Sequence, residues 1–164
     1  GLALPAAGAW GPMGDVSAEP SEDVVDFVLA ARHGDLDDVK EALAQGMSPD
    51  VRSHGGATAV LMASANGHAD VVRVLLEARA DASLANEARN SPIHWAALNG
   101  RVEACKVLLA FRADANVRNQ FNRKPFDEAF GRNLTEVCEL LAPATNFAED
   151  APADAEEDAE PESQ

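Results

Sequence analysis

The sequence predicts an all-α fold, a solenoid of about four stacked helical pairs, and two observations support this prediction. First, a pattern recurs every 33 residues and places glycine or asparagine at one point of each copy: Gly34, Gly67, Gly100 and Asn133. Second, fixed columns around this point stay apolar or small. The column seven residues earlier holds Phe27, Val60, Ile93 and Phe126, and the column four residues earlier holds Ala30, Ala63, Ala96 and Ala129. Such a period is typical of repeat architectures, in which each unit buries its faces by stacking on its neighbours.

Residues 1–21 precede the first copy and are predicted to form an irregular arm. The run is rich in glycine, alanine and proline, and it lacks the basic start and the long apolar stretch of a signal peptide. We therefore assign no repeat to this part of the chain.

The copies are predicted to cover residues 22–53, 54–86, 87–119 and 120–146, and the third shows the local signals most fully. Ser91 is a helix cap, Pro92 suits the first turn, and Gly100 ends the helix. A second helix follows, and its apolar positions are Val102, Cys105, Val107, Leu108 and Leu109. Each copy is therefore predicted to be a helix, a short turn and a second helix, with a loop to the next copy.

The chain ends in an acidic run that is predicted to be a disordered tail over residues 147–164. From residue 149 onward there are eight acidic side chains and no basic one, whereas all 13 basic residues of the chain lie between Arg32 and Arg132. A low-complexity acidic segment has little apolar surface to offset the entropy lost on ordering.

The motifs of the repeats resemble the ankyrin family. Ser91-Pro92-Ile93-His94 is similar to the family's Thr-Pro-Leu-His element, and Thr58-Ala59-Val60-Leu61 is a weaker version. The family's Leu-Leu-x-x-Gly-Ala-Asp element is similar to Leu75-Leu76-Glu77-Ala78-Arg79-Ala80-Asp81 and to the equivalent run beginning at Leu108. The resemblance covers about residues 22–146 and implies an ankyrin-repeat solenoid.

Two departures from the family pattern carry expectations of their own. Arg79 and Arg112 stand where Gly46 ends the first copy, and a left-handed backbone there should cost each arginine about 1 kcal/mol. The first and last copies lack the Thr-Pro-Leu-His element, which is expected because terminal capping repeats depart from the repeat pattern.

Composition excludes several classes of protein. The formal net charge is −15, and a polyanion is repelled by nucleic-acid phosphates and by anionic lipid, so we expect neither direct nucleic-acid binding nor membrane binding. The mean hydropathy of −0.19 predicts no membrane-spanning helix. Two cysteines cannot form a disulfide framework, which predicts a reducing compartment, cytoplasmic or nuclear, and leaves an organelle open.

No motif of a catalytic or metal site is found, so we predict that the protein is not an enzyme and has no catalytic residue, metal or cofactor. His94 is expected to bond turn backbone between repeats, while His33, His54 and His68 are expected on the solvated surface. Cys105 and Cys138 share a column and are expected to serve as small apolar packing residues.

The ankyrin resemblance implies a protein-binding surface on the concave face and the hairpin tips. Leu98 and Phe121 are the most informative candidates, because they are apolar at nominally exposed positions, although scattered apolar residues are common on surfaces. Trp95 is expected mainly to pack between repeats, with its edge reaching the groove. The full predicted set is Asn66, Glu87, Ala88, Asn90, Trp95, Leu98, Asn99, Gln120, Phe121 and Arg123.

Three functional hypotheses follow, all of them for a protein-binding module that is monomeric when isolated. The first is an acidic chaperone that escorts a basic protein, because an ordered groove beside a polyanionic tail suits a basic client. The run from Asn86 to Gly100 and the run Val117-Arg118-Asn119-Gln120-Phe121-Asn122 resemble acidic-tailed ankyrin chaperones of a small-subunit ribosomal protein. The alternatives are a generic adaptor or signalling inhibitor and a permanent subunit of a larger assembly.

Overall fold

The computed structural model describes residues 19–148, and this stretch folds into four helical pairs without a β-strand. The arm up to residue 18 and the acidic run from residue 149 lie outside the described residues. The helices are α1 (Glu22–His33), α2 (Leu36–Ala44), α3 (Ala59–Asn66), α4 (Ala69–Glu77), α5 (Pro92–Leu98), α6 (Val102–Ala110), α7 (Pro125–Phe130) and α8 (Thr135–Leu141). Within each pair, only a few residues separate the two helices.

The pairs stack in chain order, which confirms the predicted all-α repeat solenoid. Each first helix packs on the first helix of the next pair, and each second helix packs on the next second helix. The contacts along the row of first helices, α1, α3, α5 and α7, are the more extensive. We call the exposed side of this row the concave face, because the ankyrin resemblance implies a stack that curves toward it.

Small residues make the close approach of the first helices possible. Ala63, Ala96 and Ala129 occupy one column and have no solvent exposure. Both rows contribute large core side chains: Leu61 and Ile93 lie on first helices, Leu75, Leu108 and Leu141 lie on second helices, and all five are 1% exposed or less. The core is thus a continuous stripe running through the stack, in which small and large columns alternate.

The glycine at the end of a first helix is where two repeats approach most closely. Gly34 has a φ of 79°, and a Cβ placed there would lie 2.6 Å from the ring of His68 in the next repeat. The same Cβ at Gly67 would lie 2.9 Å from the Arg101 side chain. Asn133 fills this position in the last repeat with a φ of 58°, since no repeat follows that a side chain could meet.

Arg79 and Arg112 adopt the left-handed backbone predicted from their alignment with Gly46. Their φ angles are 68° and 63°, against 96° at Gly46. Each arginine therefore carries the expected strain of about 1 kcal/mol that glycine would avoid. The fold tolerates this cost at two of its turns because the stacked core outweighs it.

The last repeat closes the stack with residues that depart from the repeat pattern. Lys124 replaces the Thr or Ser cap of the inner repeats and is fully buried, with its Nζ donating a hydrogen bond to the Asn146 carbonyl at 2.5 Å. Phe126 packs edge-on against Phe147, with ring centroids 4.9 Å apart. Together these contacts fold residues 142–148 back onto α7.

Candidate partner-binding face

Three hairpin loops form a row along one edge of the concave face, and each is closed by a main-chain hydrogen bond. The first is closed from Ser53 N to Ala57 O at 2.7 Å, the second from Asn86 N to Asn90 O at 3.1 Å, and the third from Asn119 N to Arg123 O at 3.0 Å. We call residues 53–57, 86–90 and 119–123 the hairpin tips. Each tip has a residue with positive φ at the same position of the repeat: Gly56, Arg89 and Asn122.

The tips are joined to one another by main-chain hydrogen bonds. Glu87 N donates to Gly55 O at 3.2 Å, and Gln120 N donates to Ala88 O, also at 3.2 Å. The side chains of Glu87 and Gln120 remain exposed, whereas Ala88 is half-buried. Three of the predicted site residues therefore contribute to a rigid ladder through their backbones, which leaves the side chains of Glu87 and Gln120 available to a partner.

Asn119 organises the third tip and is almost completely buried, with 3% exposure. Its Nδ2 donates to Asn90 Oδ1 at 2.9 Å and to Glu128 Oε1 at 2.8 Å. Its Oδ1 accepts from the backbone N–H groups of Phe121 and Arg123, at 3.0 and 3.1 Å. All four hydrogen-bonding positions of the Asn119 amide are used, so these bonds fix the backbone of the third tip.

Phe121 projects from this tip and is 66% exposed. An aromatic side chain on a fixed backbone loses little conformational entropy on binding, and such residues dominate the energetics of many interfaces. Arg123 beside it is exposed, and its guanidinium lies 3.7 Å from Glu128. Asn90 serves the structure instead, since its Oδ1 accepts from Asn119.

His94 links the third repeat to the fourth, as the sequence predicts. Its Nδ1 accepts from the Ser91 backbone N–H at 3.2 Å, which assigns the proton to Nε2, and Nε2 donates to the Arg123 carbonyl at 2.9 Å. Burial is the largest influence on this ring and lowers the pKa of His94, although the bond to Arg123 and the charges of Glu128 and Asp127 act in the opposite direction. The neutral ring is thus the form that the fold requires.

The lowered pKa of His94 predicts a loss of stability in mild acid. Above about pH 7 the ring is neutral in both the folded and the unfolded chain, so it adds no pH dependence. Below its ordinary pKa of 6.5 the unfolded chain binds a proton that the folded chain resists, so the free energy of unfolding should fall by up to about 1.4 kcal/mol per pH unit. Urea unfolding between pH 7.5 and 5.5 measures this slope. His94→Gln should flatten it, whereas His33→Gln, at an exposed position, should leave it unchanged.

His68 corrects one expectation, because it does not lie on the solvated surface. Its Nε2 is 3.0 Å from the Arg32 carbonyl, and the ring is half-buried against Gly34. The equivalent residue of the next repeat, Arg101, donates from Nε to the Ala65 carbonyl at 3.2 Å. This column therefore ties each repeat to the end of the preceding first helix.

An apolar stripe runs along the concave face across three repeats. Leu29, Met62 and Trp95 occupy equivalent positions of α1, α3 and α5, and Leu29 is 38% exposed while the other two are half-buried. The indole N–H of Trp95 is buried and meets no acceptor within residues 19–148. Trp95 is therefore partly packed within the stack and partly open to its surface, and its contact with a partner stays a prediction.

The remaining predicted residues lie at the other end of the first helices, away from the tips. Leu98 and Asn99 are half-buried and line a groove of about 520 Å³ with Arg101, Arg132 and Leu134. Asn66 is exposed, and its Nδ2 donates to the Met62 carbonyl at 2.8 Å. The predicted set thus forms two groups, joined along the concave face by the apolar stripe.

Sequence reasoning missed Asn119, Leu29 and Met62. Asn119 shares its column with Ser53 and Asn86, and a recurring short polar residue at the start of each loop was an available signal. Leu29 and Met62 share the column of Trp95, so extending that column to the other repeats would have found the stripe.

The described residues include neither a metal-binding cluster nor a membrane-spanning helix. No group of three or more His, Cys, Asp or Glu side chains is placed to hold a metal ion there. Cys105 and Cys138 are free thiols, and burial raises the pKa of Cys105 to about 12. No helix of this part of the chain is long and apolar enough to cross a membrane.

A curved stack of helical pairs, with a laddered row of hairpin tips beside an apolar stripe, defines a repeat-type protein-interaction module. The chain belongs to the ankyrin repeat family: the family model "Ankyrin repeats (3 copies)" matches residues 27–120 and 76–152. Members of this family are generally non-enzymatic and bind other proteins, so the concave face and the tips are the surfaces to test.

Two curated relatives support the family assignment. The chain is 37% identical over 73 residues to ankyrin repeat-containing protein YAR1 of Saccharomyces cerevisiae, an alignment that covers 42% of this chain and 36% of the relative. It is 35% identical over 63 residues to the putative ankyrin repeat protein PA3287 of Pseudomonas aeruginosa, covering 38% and 37%. The chain thus spans little more than a third of the length of these relatives.

Proposed function

We propose that this protein is a chaperone that escorts a basic protein client, gripping it with the concave face and the third hairpin tip. The presentation of Phe121 carries the proposal. An exposed aromatic side chain is costly to leave in water, and here the network around Asn119 fixes the backbone that displays it. The apolar stripe extends the same surface toward the first repeat, which suits a client segment that lies along the groove.

Charge supports a basic client. The chain has a net charge of −15, and eight of its acidic residues lie in the run from residue 149 to the end. A polyanionic segment raises the rate at which a basic protein is captured and competes with nucleic acid for its lysine and arginine side chains. The similarity of residues 86–100 and 117–122 to acidic-tailed ankyrin chaperones supports a ribosomal protein as the client.

The test begins with affinity capture at low and at high salt, followed by identification of the bound protein and kinetic measurement of its binding. Leu98→Asp combined with Phe121→Ala should weaken this complex by at least about 100-fold, because a desolvated aromatic anchor alone can contribute about 2 kcal/mol or more. Arg79→Ala, on the turn after α4, is the matched control and should bind as the unaltered chain does.

Deletion of residues 149–164 separates the chaperone from a generic adaptor. For a chaperone, the deletion should slow association and flatten its dependence on salt, with little change in dissociation. If the deletion leaves the association rate at low salt unchanged, escort of a basic client is contradicted. If Leu98→Asp with Phe121→Ala still weakens client binding in that case, the adaptor is favoured.

A further inference from the structure

A groove of about 550 Å³ lies between α1 and α2 at the N-terminal end of the stack, away from the tips. We call it the end groove. Its floor is apolar and its rim is acidic. The floor includes Phe27, Ala30, Ala42 and Met47, and the rim is formed by Asp23, Asp26, Asp38 and Glu41. No basic side chain lines it.

The end groove occupies the place that a preceding repeat would fill. Ala30 and Ala42 are partly exposed, although the later residues of both columns, such as Ala63 and Leu75, have no exposure. The first repeat therefore presents a surface of the kind that every other repeat buries, and within residues 19–148 no segment covers it.

Two acids of the rim, Asp26 and Asp38, stand in columns whose later residues are buried and apolar. The column of Asp38 continues with Val71, Ala104 and Val137, and all three are 1% exposed or less. A capping repeat needs a polar outer face for solubility, but mixed charges would provide one without mutual repulsion. Four like charges around one groove repel each other, which is a cost that solubility alone does not require.

Helix termini explain only part of this arrangement. Asp23 and Asp38 lie in the first turns of α1 and α2, where the helix dipole favours a negative charge. Asp26 and Glu41 lie beyond the first turn of their helices and gain no stabilisation from the helix dipole. Asp23, Asp26 and Asp38 have no ion pair with any base in the described part of the chain, so their charges remain uncompensated.

We propose that the end groove is a docking surface for a basic amphipathic segment of a partner protein, which inserts an apolar side chain between the carboxylates. Charge complementarity selects this occupant. The arm of the chain itself, residues 1–18, contains Asp15 and no basic residue, so its charge has the wrong sign. The proposal rests on the proposed function in that both require a basic client, but it adds a second contact at the far end of the stack.

The experiment uses the full ¹⁵N-labelled chain and a 14-residue amphipathic peptide of lysine, alanine and leucine as the probe. We expect its amide shifts to map to α1 and α2. Asp26→Asn, Asp38→Asn and Glu41→Gln together should weaken peptide binding about tenfold, since three rim carboxylates lose their charge attraction to the lysines of the peptide. A peptide with serine in place of leucine should bind about tenfold more weakly than the parent.

The matched control changes the same number of charges outside the end groove: Asp37→Asn, Asp70→Asn and Glu77→Gln. Equal weakening by both triple variants would overturn the proposal, because it would indicate a response to net charge only. Amide shifts centred on the hairpin tips would also overturn the proposal, because the peptide would then bind elsewhere. So would peptide binding that appears only after residues 1–18 are deleted, or self-association of the chain that the groove variant abolishes.

The same variants separate this proposal from the proposed function. If the groove variant binds the captured client with unchanged affinity while Leu98→Asp with Phe121→Ala weakens binding, the end groove is not a docking surface. Binding through the concave face is then supported. If only the groove variant weakens client binding, the end groove is supported as a docking surface and the proposed role of Phe121 is contradicted.

Discussion

Replacing Leu108 with alanine should lower the free energy of unfolding by about 3 kcal/mol, whereas Leu109→Ala should cost about 1 kcal/mol. The two residues are neighbours on α6 and lose the same atoms, but Leu108 has no solvent exposure and Leu109 is only half-buried. Leu108 also lies in the third repeat, so the cavity left by the alanine would open in an interior repeat, between the second and the fourth repeats.

Urea unfolding followed by circular dichroism measures both variants. In a stacked repeat, a defect at an interior unit weakens the interfaces on both sides, so Leu108→Ala should also broaden the transition. Equal losses for the two variants would mean that the exposure difference does not govern their energetics, and the assignment of this column to the core would be wrong.

The period of 33 residues made the fold predictable because a repeat imposes its register on every element. Once Gly34, Gly67 and Gly100 are aligned, the apolar columns identify the buried helix faces, and the only stable arrangement for such faces is a stack. The left-handed turns at Arg79 and Arg112 were predictable in the same way, since position in the repeat fixes the backbone whatever the residue.

The candidate site was less predictable, because part of its order comes from contacts between positions that are far apart in the sequence. Nothing local to Asn119 indicates that Asn90, 29 residues earlier, will accept its hydrogen bond. The burial of Lys124 likewise depends on Asn146, which a later turn of the chain brings back to it. Columns identify positions that are equivalent, whereas these bonds join positions that are not.

The two ends of the stack are where the repeat pattern gives least guidance and where surface is left over. At the C-terminal end, Phe126 and Phe147 pack together, although Phe147 remains 48% exposed. At the N-terminal end, Asp26 and Asp38 stand in columns that are buried in later repeats, and no segment of residues 19–148 covers the end groove. Of the two ends of the described stack, only the N-terminal end combines an apolar floor with a rim of carboxylates, and this is the physical reason for proposing a basic partner segment there.

Asn119→Ala should destabilise the protein by about 2–3 kcal/mol and weaken client binding without altering Phe121. The variant removes four hydrogen bonds from a nearly buried amide, so that Asn90 Oδ1, Glu128 Oε1 and two backbone N–H groups lose the bond to Asn119. The third tip would lose the constraint that displays the aromatic ring, so binding would carry the entropic cost of ordering it.

The matched control for this prediction is Asn86→Ala. Asn86 occupies the same column in the second tip, but its side chain accepts a single bond, from Asn90 N at 3.0 Å, so its loss should cost about 1 kcal/mol. Urea unfolding and amide hydrogen exchange compare the two, with faster exchange expected at Phe121 and Arg123 only in Asn119→Ala. If both variants lose the same stability and the Phe121 amide stays protected, the tip is held by its backbone ladder alone and the proposed grip loses its rigid anchor.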